Sequence, residues 1–399
     1  MENTVGIGLI GCGGRLRGVA RRTCRQDKRL KITGLYDKDP ASIEATKEFF
    51  GKPDCYAHAE DTLPVFDSAE ALIADPNIDW VMVGSWNSVH REHVVSAFKA
   101  GKHVFCEKPL ATTIEDCVAM SEAWKASGKQ FAIGFTLRFS PHYRKIKELL
   151  DDGIVGDIIS MEFNETLAFN HGGWIHDDWR SFTKYAGTHL LEKCCHDIDL
   201  VNWMIGSRTA RVASFGGLDF FIPSNEHHMD RLGTNAKGQQ AYMAMGNHNR
   251  PNNGTREANP FITEGKDIVD NQVVIMEYEN GVRTTFHTNC NAGIPERRMY
   301  ILGSEGAIRA DVLTGTIESK RIGFDTEIIN HGTDSSGGHG GGDEVLAKEI
   351  KDCMLKGDAP AAGLVDGLTS AVTCFGIDKA NDCGEVVDMA PLWKKAGIN

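Results

Sequence analysis

Short apolar runs alternate with amphipathic segments through the first third of the chain. The runs have the length and composition of buried strands, and the segments between them have helical periodicity. Strands that alternate with helices in this way predict a parallel, doubly wound sheet. The predicted strands are Val5–Ile10, Leu30–Tyr36 and residues 64–66, 80–84, 103–106 and 130–134.

The pattern changes after residue 156, where alternating apolar and polar positions replace the continuous apolar runs. Alternation of this kind is typical of strands with one buried face, and Asn280-Gly281 has the composition of a hairpin turn. The second half of the chain therefore predicts an antiparallel sheet. The predicted elements are strands 158–167, 273–278, 282–289, 299–302 and 307–311 and helices 144–150, 190–204, 343–358 and 363–380.

The chain has 399 residues, more than a single hydrophobic core usually supports. We expect an α/β protein with an N-terminal domain over residues 1–134 and a C-terminal α+β domain over residues 135–399. A long polar insertion spans residues 223–266. It would cover a substrate site or a partner subunit, or it would form a plain surface loop. In the first case we expect its polar contacts to be His227, His228, His248 and Arg250.

Charge and cysteine content narrow the class of protein. A formal net charge of −12 argues against a nucleic-acid or anionic-membrane partner, because both require a basic face. The eleven cysteines are odd in number and show no Cys-x-x-Cys spacing, and no run of about 18 apolar residues predicts a membrane span. Reduced thiols in a cytoplasmic protein are the simplest explanation.

A glycine turn follows the first strand and opens a helix. Gly11 and Gly13 allow the tight turn and the close approach of a pyrophosphate to the helix N-terminus. Leu16 stands where a third glycine or alanine is expected, so a purely structural glycine turn remains an alternative. The predicted cofactor contacts here are Gly11, Gly13, Gly14, Arg15 and Leu16.

Asp37 ends the second strand about twenty residues beyond the glycines. A carboxylate at this position would accept hydrogen bonds from the adenine-ribose diol and would repel a 2′-phosphate. The sequence therefore favours NAD as the cofactor over NADP. Alternatively, Asp37 begins a turn before Pro40.

Polar side chains also follow the next strands. Ser85, Trp86, Asn87 and His90 come after residues 80–84, at a carboxyl end where doubly wound sheets bind ligands. We expect them to contact the cofactor or the substrate. Asn87 could instead form a turn or cap a helix.

Glu107-Lys108-Pro109 ends the strand at residues 103–106 abruptly. Proline has no N–H group for the sheet and restricts the residue before it to an extended conformation. Lys108 is then fixed at the carboxyl end of a parallel strand. We expect Glu107 and Lys108 to contact the cofactor, and Lys108 to contact the substrate as well.

Glu192 and His196 are four residues apart in the predicted helix 190–204 and would share one face. A carboxylate that orients an imidazole is suited to general-base catalysis. A surface ion pair is the alternative. A metal site of His189, Glu192 and His196 with the nearby cysteines matches no common ligand spacing, so no metal is predicted.

These motifs resemble those of the glucose-fructose oxidoreductase, inositol dehydrogenase and MocA family. The order and the spacing of the motifs match over nearly the whole chain. The similar segments are the Gly11-x-Gly13 turn, Ser85-Trp86-Asn87-x-x-His90, residues 101–109 with Glu107-Lys108-Pro109, Gly134-x-x-x-Arg138-x-x-Pro141 and Glu192-x-x-x-His196-x-x-Asp199-x-x-x-Trp203-x-x-Gly206.

The resemblance implies a Rossmann domain followed by a domain with a large, mostly antiparallel open sheet, which often forms dimers or tetramers. It also implies a catalytic group of Lys108, His196 and Glu192. The family usually has Asp where Glu192 stands and Gly where Cys194 stands. The implied substrate contacts are Lys108, Arg138, Lys193, Cys195 and His196.

The resulting hypothesis is an NAD-dependent dehydrogenase that oxidises a secondary hydroxyl of a sugar, a glycoside or an inositol. A redox-neutral glycoside hydrolase or lyase that works through a keto-sugar would use the same residues. A sensor without catalysis would be free to lose Lys108 and His196, and this chain keeps both.

Overall fold

The structure is a computed structural model that describes residues 4–52, 56–59, 62–234, 236, 238 and 259–398. The chain forms two compact units. The first comprises Met1–Pro141 and Ser336–Ala371, and the second comprises His142–Ser335 and Val372–Asn399. The first unit thus includes a segment from late in the chain. The domain boundary at residue 134 stays a prediction.

A parallel sheet forms the centre of the first unit. In the described part of this unit it has five strands in the order β2-β1-β3-β4-β5, and every pairing is parallel. The strands are mostly buried, as expected for a sheet whose two faces are both covered. The doubly wound fold is therefore confirmed. The strands are β1 (Val5–Ile10), β2 (Leu30–Tyr36), β3 (Trp80–Val83), β4 (His103–Cys106) and β5 (Phe131–Ile133).

Side-chain caps mark the start of several helices. Asp39, Ser68 and Thr113 each accept a hydrogen bond from a backbone N–H in the first turn, whereas the helix that begins at Gly14 has no such cap. The α-helices are α1 (Gly14–Gln26), α2 (Pro40–Phe50), α3 (Ala69–Ala74), α4 (His90–Lys99), α5 (Ile114–Ser127), α6 (Pro141–Asp151), α7 (Phe169–Asp177), α8 (Thr183–Ala186), α9 (Cys195–Ile205), α10 (His228–Leu232), α11 (Gly342–Lys356), α12 (Leu364–Cys383) and α13 (Ala390–Lys395).

Two predicted elements differ in the structure. Residues 64–66 form a single β-bridge between Val65 and Leu35 and no strand. Pro64 contributes only its carbonyl group to that bridge, because proline has no N–H to extend a ladder. The predicted helix 190–204 is a π-helix over Leu190–Cys194 followed by α9.

The ends of β1 and β3 approach closely where the strand order reverses. Gly11 has a φ of +87°, and a Cβ there would lie 2.5 Å from the carbonyl carbon of Gly84. Only glycine fits such a position. A Cβ on Gly84 would in turn lie 2.7 Å from the Cβ of Leu16 in α1. Gly84 thus supplies the close helix packing that a third glycine in α1 would otherwise provide.

The second unit is built on a mixed sheet. Among its described residues there are nine strands in the order β13-β12-β11-β10-β6-β9-β8-β7-β14. Only the β6–β9 pair of this sheet is parallel, which confirms the mostly antiparallel prediction. The strands are β6 (Ile158–Ala168), β7 (Thr209–Gly217), β8 (Asn271–Tyr278), β9 (Arg283–Ala292), β10 (Arg298–Gly303), β11 (Gly306–Asp311), β12 (Thr316–Arg321), β13 (Ile329–Asn330) and β14 (Val387–Asp388).

One aromatic residue within the polar insertion and one just before it pack near α7. The Phe169 ring lies 5.8 Å from Phe221, which lies 5.5 Å from Phe261, measured between ring centroids. All three side chains are buried. Of the predicted polar contacts, His227 and His228 lie at the start of α10, whereas His248 and Arg250 fall outside the described residues.

The described helices include none with the length and apolar character that crossing a membrane requires. All cysteines that the structure describes are free thiols.

Gly84→Ala tests the packing of α1 against the end of β3. The added methyl group overlaps the Leu16 side chain at its Cβ, which cannot rotate away, so we expect the free energy of unfolding to fall by about 1–3 kcal/mol. Chemical denaturation followed by circular dichroism measures it. Gly293→Ala is the control, because a Cβ there meets nothing within 4 Å. Equal stability of the two variants would contradict the packing argument.

Candidate active site

The guanidinium group of Arg15 joins three elements of the first unit. Its Nε lies 3.0 Å from Glu107 Oε1, its Nη1 lies 2.6 Å from Asp343 Oδ1, and its Nη2 donates to Thr136 Oγ1 at 2.5 Å. Arg15 lies in the first turn of α1, Glu107 follows β4, and Asp343 lies in the first turn of α11. One side chain therefore connects the glycine turn with the strand end that carries Lys108.

The charges of this group shift the pKa values of Arg15 and Asp343. Burial lowers the pKa of Arg15, but the carboxylates of Glu107 and Asp343 outweigh burial and raise it. Burial raises the pKa of Asp343, but a hydrogen bond from His339 and the charge of Arg15 hold it below its usual range. The first residue of α11 fits closely here, because a Cβ on Gly342 would overlap the carbonyl oxygen of Thr136.

The glycine turn has the space and the donors that a dinucleotide phosphate needs. No side chain caps α1, its first turn has no acidic residue, and a Cβ on Gly13 would meet nothing within 4 Å. The first backbone N–H groups of a helix bind anions in such a setting. Gly11, Gly13 and Gly14 thus lie at one turn, whereas the Leu16 side chain is buried against Gly84.

Asp37 is held against the same turn. Its Oδ2 accepts a hydrogen bond from the Cys12 N–H at 2.6 Å, and its Oδ1 accepts one from the Asp39 N–H at 2.8 Å. Burial raises the pKa of Asp37. Each carboxylate oxygen can accept a further hydrogen bond, so the site fits the ribose diol of NAD. The residues of this turn and Asp37 together fit the predicted cofactor.

His90 links the ends of β3 and β4. Its Nδ1 lies 3.0 Å from the carbonyl oxygen of Pro109, and its Nε2 lies 3.1 Å from the carbonyl oxygen of Ser85. The ring is fully buried, and burial lowers the pKa of His90. The structure therefore gives His90 a role in holding the two loops. Trp86 and Asn87, which follow Ser85 in the chain, are half-buried and buried, respectively.

Lys108 is half-buried and directly follows Glu107, whose carboxylate Arg15 holds. Arg138, a predicted substrate contact, is buried in the same unit. Its Nη2 lies 2.9 Å from Asp366 Oδ1, and its Nη1 donates to the carbonyl oxygen of Ala361 at 3.4 Å. The substrate roles of Lys108 and Arg138 stay predictions.

The segment that carries Glu192 differs from the regular helix expected from the sequence. It is a π-helix, in which a turn is wider than in an α-helix, so the simple four-residue facing of Glu192 and His196 does not apply. Glu192 Oε1 accepts a hydrogen bond from Arg180 Nε at 3.1 Å. His196 lies in the first turn of α9, and both side chains are buried. The catalytic roles of Glu192 and His196 stay predictions.

A buried charge network surrounds Lys193. Its Nζ lies 3.1 Å from Glu165 Oε1, which also lies 2.9 Å from Arg297 Nη1. Arg297 binds both oxygens of Asp197 at 2.8 and 2.7 Å. Burial raises the pKa of Glu165, but Arg297 and Lys193 outweigh burial and lower it to about 2. Lys193 therefore belongs to a buried network of two basic and two acidic side chains, and its predicted contact with substrate stays a prediction.

The thiols of Cys194 and Cys195 are buried. Cys194 Sγ lies 3.8 Å from His189 Nε2 and 3.6 Å from Thr288 Oγ1. Burial raises the pKa of Cys194 and lowers that of His189 to about 4, so a neutral thiol faces a neutral imidazole. Cys195 Sγ lies 3.9 Å from the Glu192 carbonyl oxygen. Across the described residues, no group of three or more His, Cys, Asp or Glu side chains could hold a metal ion.

A cluster of aromatic and charged side chains at the end of α7 was not predicted from the sequence. The Arg180 guanidinium group lies close to the rings of Trp174 and Trp179 and contacts Asp178 as well as Glu192. Burial raises the pKa of Asp178 to about 7. The signal in the sequence is the density of aromatic and charged residues over positions 174–180.

Two family models match this chain. The model described as "Oxidoreductase family, NAD-binding Rossmann fold" matches residues 5–135, and the model described as "GFO/IDH/MocA C-terminal domain" matches residues 143–309. Together they cover most of the chain.

Individual proteins show the same similarity. Inositol 2-dehydrogenase of Gluconacetobacter diazotrophicus is 32% identical over 206 residues, which are 51% of this chain and 55% of that enzyme. The 2,7-anhydro-N-acetylneuraminate hydratase of Escherichia coli is 27% identical over 264 residues, 65% of this chain and 58% of that enzyme. The chain thus matches little more than half the length of these two relatives.

A solved levoglucosan dehydrogenase in complex with NADH and levoglucosan superposes with a TM-score of 0.75. The match covers 97% of this chain and 100% of that one at 18% identity, which shows a shared fold.

Arg15→Ala tests the charge group of the first unit. Removing one partner of a buried ion pair leaves the other charge uncompensated, so we expect a loss of about 3 kcal/mol in the free energy of unfolding. This is the low end of the usual range because the Arg15 side chain keeps 31% exposure. Arg22→Ala is the control, since its partner Glu344 is exposed and such pairs contribute roughly 0–1 kcal/mol. Similar losses in both variants would show that the Arg15 contacts add nothing specific.

Proposed function

The chain belongs to the GFO/IDH/MocA oxidoreductase family, and from this premise we propose that it oxidises a secondary hydroxyl group of a sugar, a glycoside or an inositol. It is a nicotinamide-dependent oxidoreductase that acts on CH–OH donors, and its Rossmann domain binds NAD. The relatives named for inositol and for levoglucosan support this choice of substrate class.

The observation that carries the proposal is the geometry of the glycine turn. An uncapped helix N-terminus, an open backbone at Gly13 and a carboxylate held beside the turn are what a dinucleotide requires. Gly11, Gly13, Gly14 and Asp37 would hold the cofactor. When bound, NAD supplies the acceptor for the hydride.

The residues of the chain would supply the proton chemistry. His196 would take the hydroxyl proton as a general base, which contributes on the order of 10²- to 10⁴-fold to such reactions. Lys108 would donate a hydrogen bond to the reacting oxygen and stabilise the charge that develops there. Glu192 would orient His196. The protein thus positions and polarises the hydroxyl group.

A redox-neutral hydrolase or lyase that acts through a keto-sugar is the second candidate. The similarity to a hydratase that acts on an anhydro-sugar favours keeping it. The two candidates differ in their products: a dehydrogenase forms NADH in step with product, whereas a redox-neutral enzyme cleaves sugar without net NADH. Incubation with NAD and a panel of myo-inositol, levoglucosan, glucose and aryl glycosides, followed by absorbance and chromatography, separates them.

The remaining features of the protein are inferred from family resemblance and composition. We propose a homodimer or a homotetramer formed through the sheet of the second unit. We also propose a cytoplasmic location, with no nucleic-acid or membrane partner, in keeping with the acidic net charge and the free thiols.

Lys108→Ala and His196→Ala test the catalytic assignment. Each removes a group that acts on the reacting oxygen, so we expect turnover to fall by about 10²-fold or more while NAD still binds. NADH absorbance measures turnover, and calorimetry with NAD measures binding. Lys129→Ala, which alters a partly buried lysine before β5, should leave both unchanged. Near wild-type turnover in either site variant would rule out its proposed role.

Asp37→Ser tests the choice of cofactor. Removal of the carboxylate removes both the acceptor for the ribose diol and the repulsion of a 2′-phosphate. We expect kcat/KM with NAD to fall about tenfold and the ratio of NAD to NADP activity to decrease. Asp39→Ser is the matched control, since Asp39 caps α2. An unchanged cofactor ratio in Asp37→Ser would show that Asp37 is a structural turn residue.

A further inference from the structure

A short turn after α7 presents Arg180 to the element that carries Glu192. The turn is a 3-10 helix over Trp179–Ser181, capped by Asp178, which accepts the Arg180 N–H at 3.3 Å. Ser181 Oγ also donates to the Asp178 carbonyl oxygen at 2.7 Å. The backbone that carries Arg180 is thus fixed by local hydrogen bonds on both sides.

Two indole rings lie close to the Arg180 guanidinium group. Its central carbon lies 4.4 Å from the centroid of the Trp174 ring and 4.5 Å from that of the Trp179 ring. Arginine stacks on aromatic faces through its planar, delocalised cation. Two rings this close restrict the positions that the guanidinium group can occupy.

The fixed guanidinium group contacts two carboxylates. Nε donates to Glu192 Oε1 at 3.1 Å, and Nη1 lies 3.3 Å from Asp178 Oδ1. The Arg180 and Glu192 side chains are only 19% and 8% exposed. Charge-assisted hydrogen bonds in such surroundings are strong and directional. A glutamate with several rotatable bonds is therefore oriented by a charge-assisted hydrogen bond from a mostly buried neighbour.

We propose that Arg180 is a positioning residue, which holds the Glu192 carboxylate in the orientation that the reaction needs. The inference rests on the proposed function, in which Glu192 orients His196. Lysine cannot take this role, because it has a single point charge and lacks the planar fork. An ion pair that served stability alone would not depend on this geometry.

The test compares Arg180→Ala, Arg180→Lys and Glu192→Gln, each with NAD and the compound of the sugar and polyol panel that the wild type oxidises fastest. We expect kcat to fall about 10- to 100-fold in both Arg180 variants, because a misplaced catalytic group costs about that much. The KM for NAD should stay unchanged. Guanidinium ion, at concentrations that leave the wild type folded, should restore part of kcat in Arg180→Ala.

The double variant Arg180→Ala/Glu192→Gln makes the test specific. Its kcat should match that of Glu192→Gln, and guanidinium should not restore it, since residues that act as a unit are not additive. Arg211→Ala is the control, because Arg211 pairs with Glu277 at the surface with 63% of its side chain exposed. It should keep wild-type kcat and show no response to guanidinium.

The experiment distinguishes a failure of the positioning role of Arg180 from a failure of the proposed dehydrogenase function. Wild-type kcat in Arg180→Ala, or rescue that persists without the Glu192 carboxylate, would overturn the positioning role alone. If Arg180→Ala fails to fold, Arg180→Lys decides, since it keeps the charge and most of the volume; wild-type kcat in that variant would overturn the role. A wild type that forms no NADH with any compound of the panel would overturn the proposed dehydrogenase itself.

Discussion

The close approach of two backbone segments at the reversal of strand order is the constraint on which the first unit depends. The turn at Gly11 leaves no room for a side chain, and the Gly84 end of β3 leaves none toward Leu16. Backbone atoms occupy the space where side chains would otherwise stand at Gly11 and Gly84. As a result, α1 begins immediately after β1, and its first N–H groups lie at the carboxyl edge of the sheet. The ligand site of a doubly wound sheet lies at this edge. Sterics at two glycines thus fix where the cofactor turn can lie.

Charge pairing follows one pattern in both units. Three arginines each bridge two carboxylates: Arg15 joins Glu107 and Asp343, Arg180 joins Asp178 and Glu192, and Arg297 joins Glu165 and Asp197. In each case one of the acids lies within four residues of a proposed catalytic residue in the sequence. Glu107 precedes Lys108, Glu192 lies four residues before His196, and Asp197 follows it. Buried ion pairs add little net stability, but their fork geometry fixes the backbone on either side of the reactive groups.

The sequence was sufficient for those parts of the structure that local patterns determine. Strands β1, β2 and β4, the hairpin through Gly281, and the glycine turn follow from periodicity and turn chemistry over a few residues. The contacts that the site residues make with distant side chains do not follow from such local patterns. Arg15 and Asp343 are 328 positions apart, and Arg180 and Glu192, 12 positions apart, meet because the chain through α8 turns back to the π-helix. Such contacts depend on tertiary packing. The spacing of the residues along the chain does not predict that packing.

The two departures that the family resemblance implies lie in one structural element. Positions 192 and 194, where the resemblance implies Asp and Gly, are both in the π-helix Leu190–Cys194. A π-turn is wider than an α-turn and displaces the residues within it. Glutamate is one methylene longer than aspartate, and in this turn its carboxylate reaches Arg180. Cys194 places a buried thiol against His189 and Thr288, where glycine would leave that space without a side chain. The longer acid, the thiol within the π-helix and the arginine that contacts the acid thus lie together at one segment of this structure.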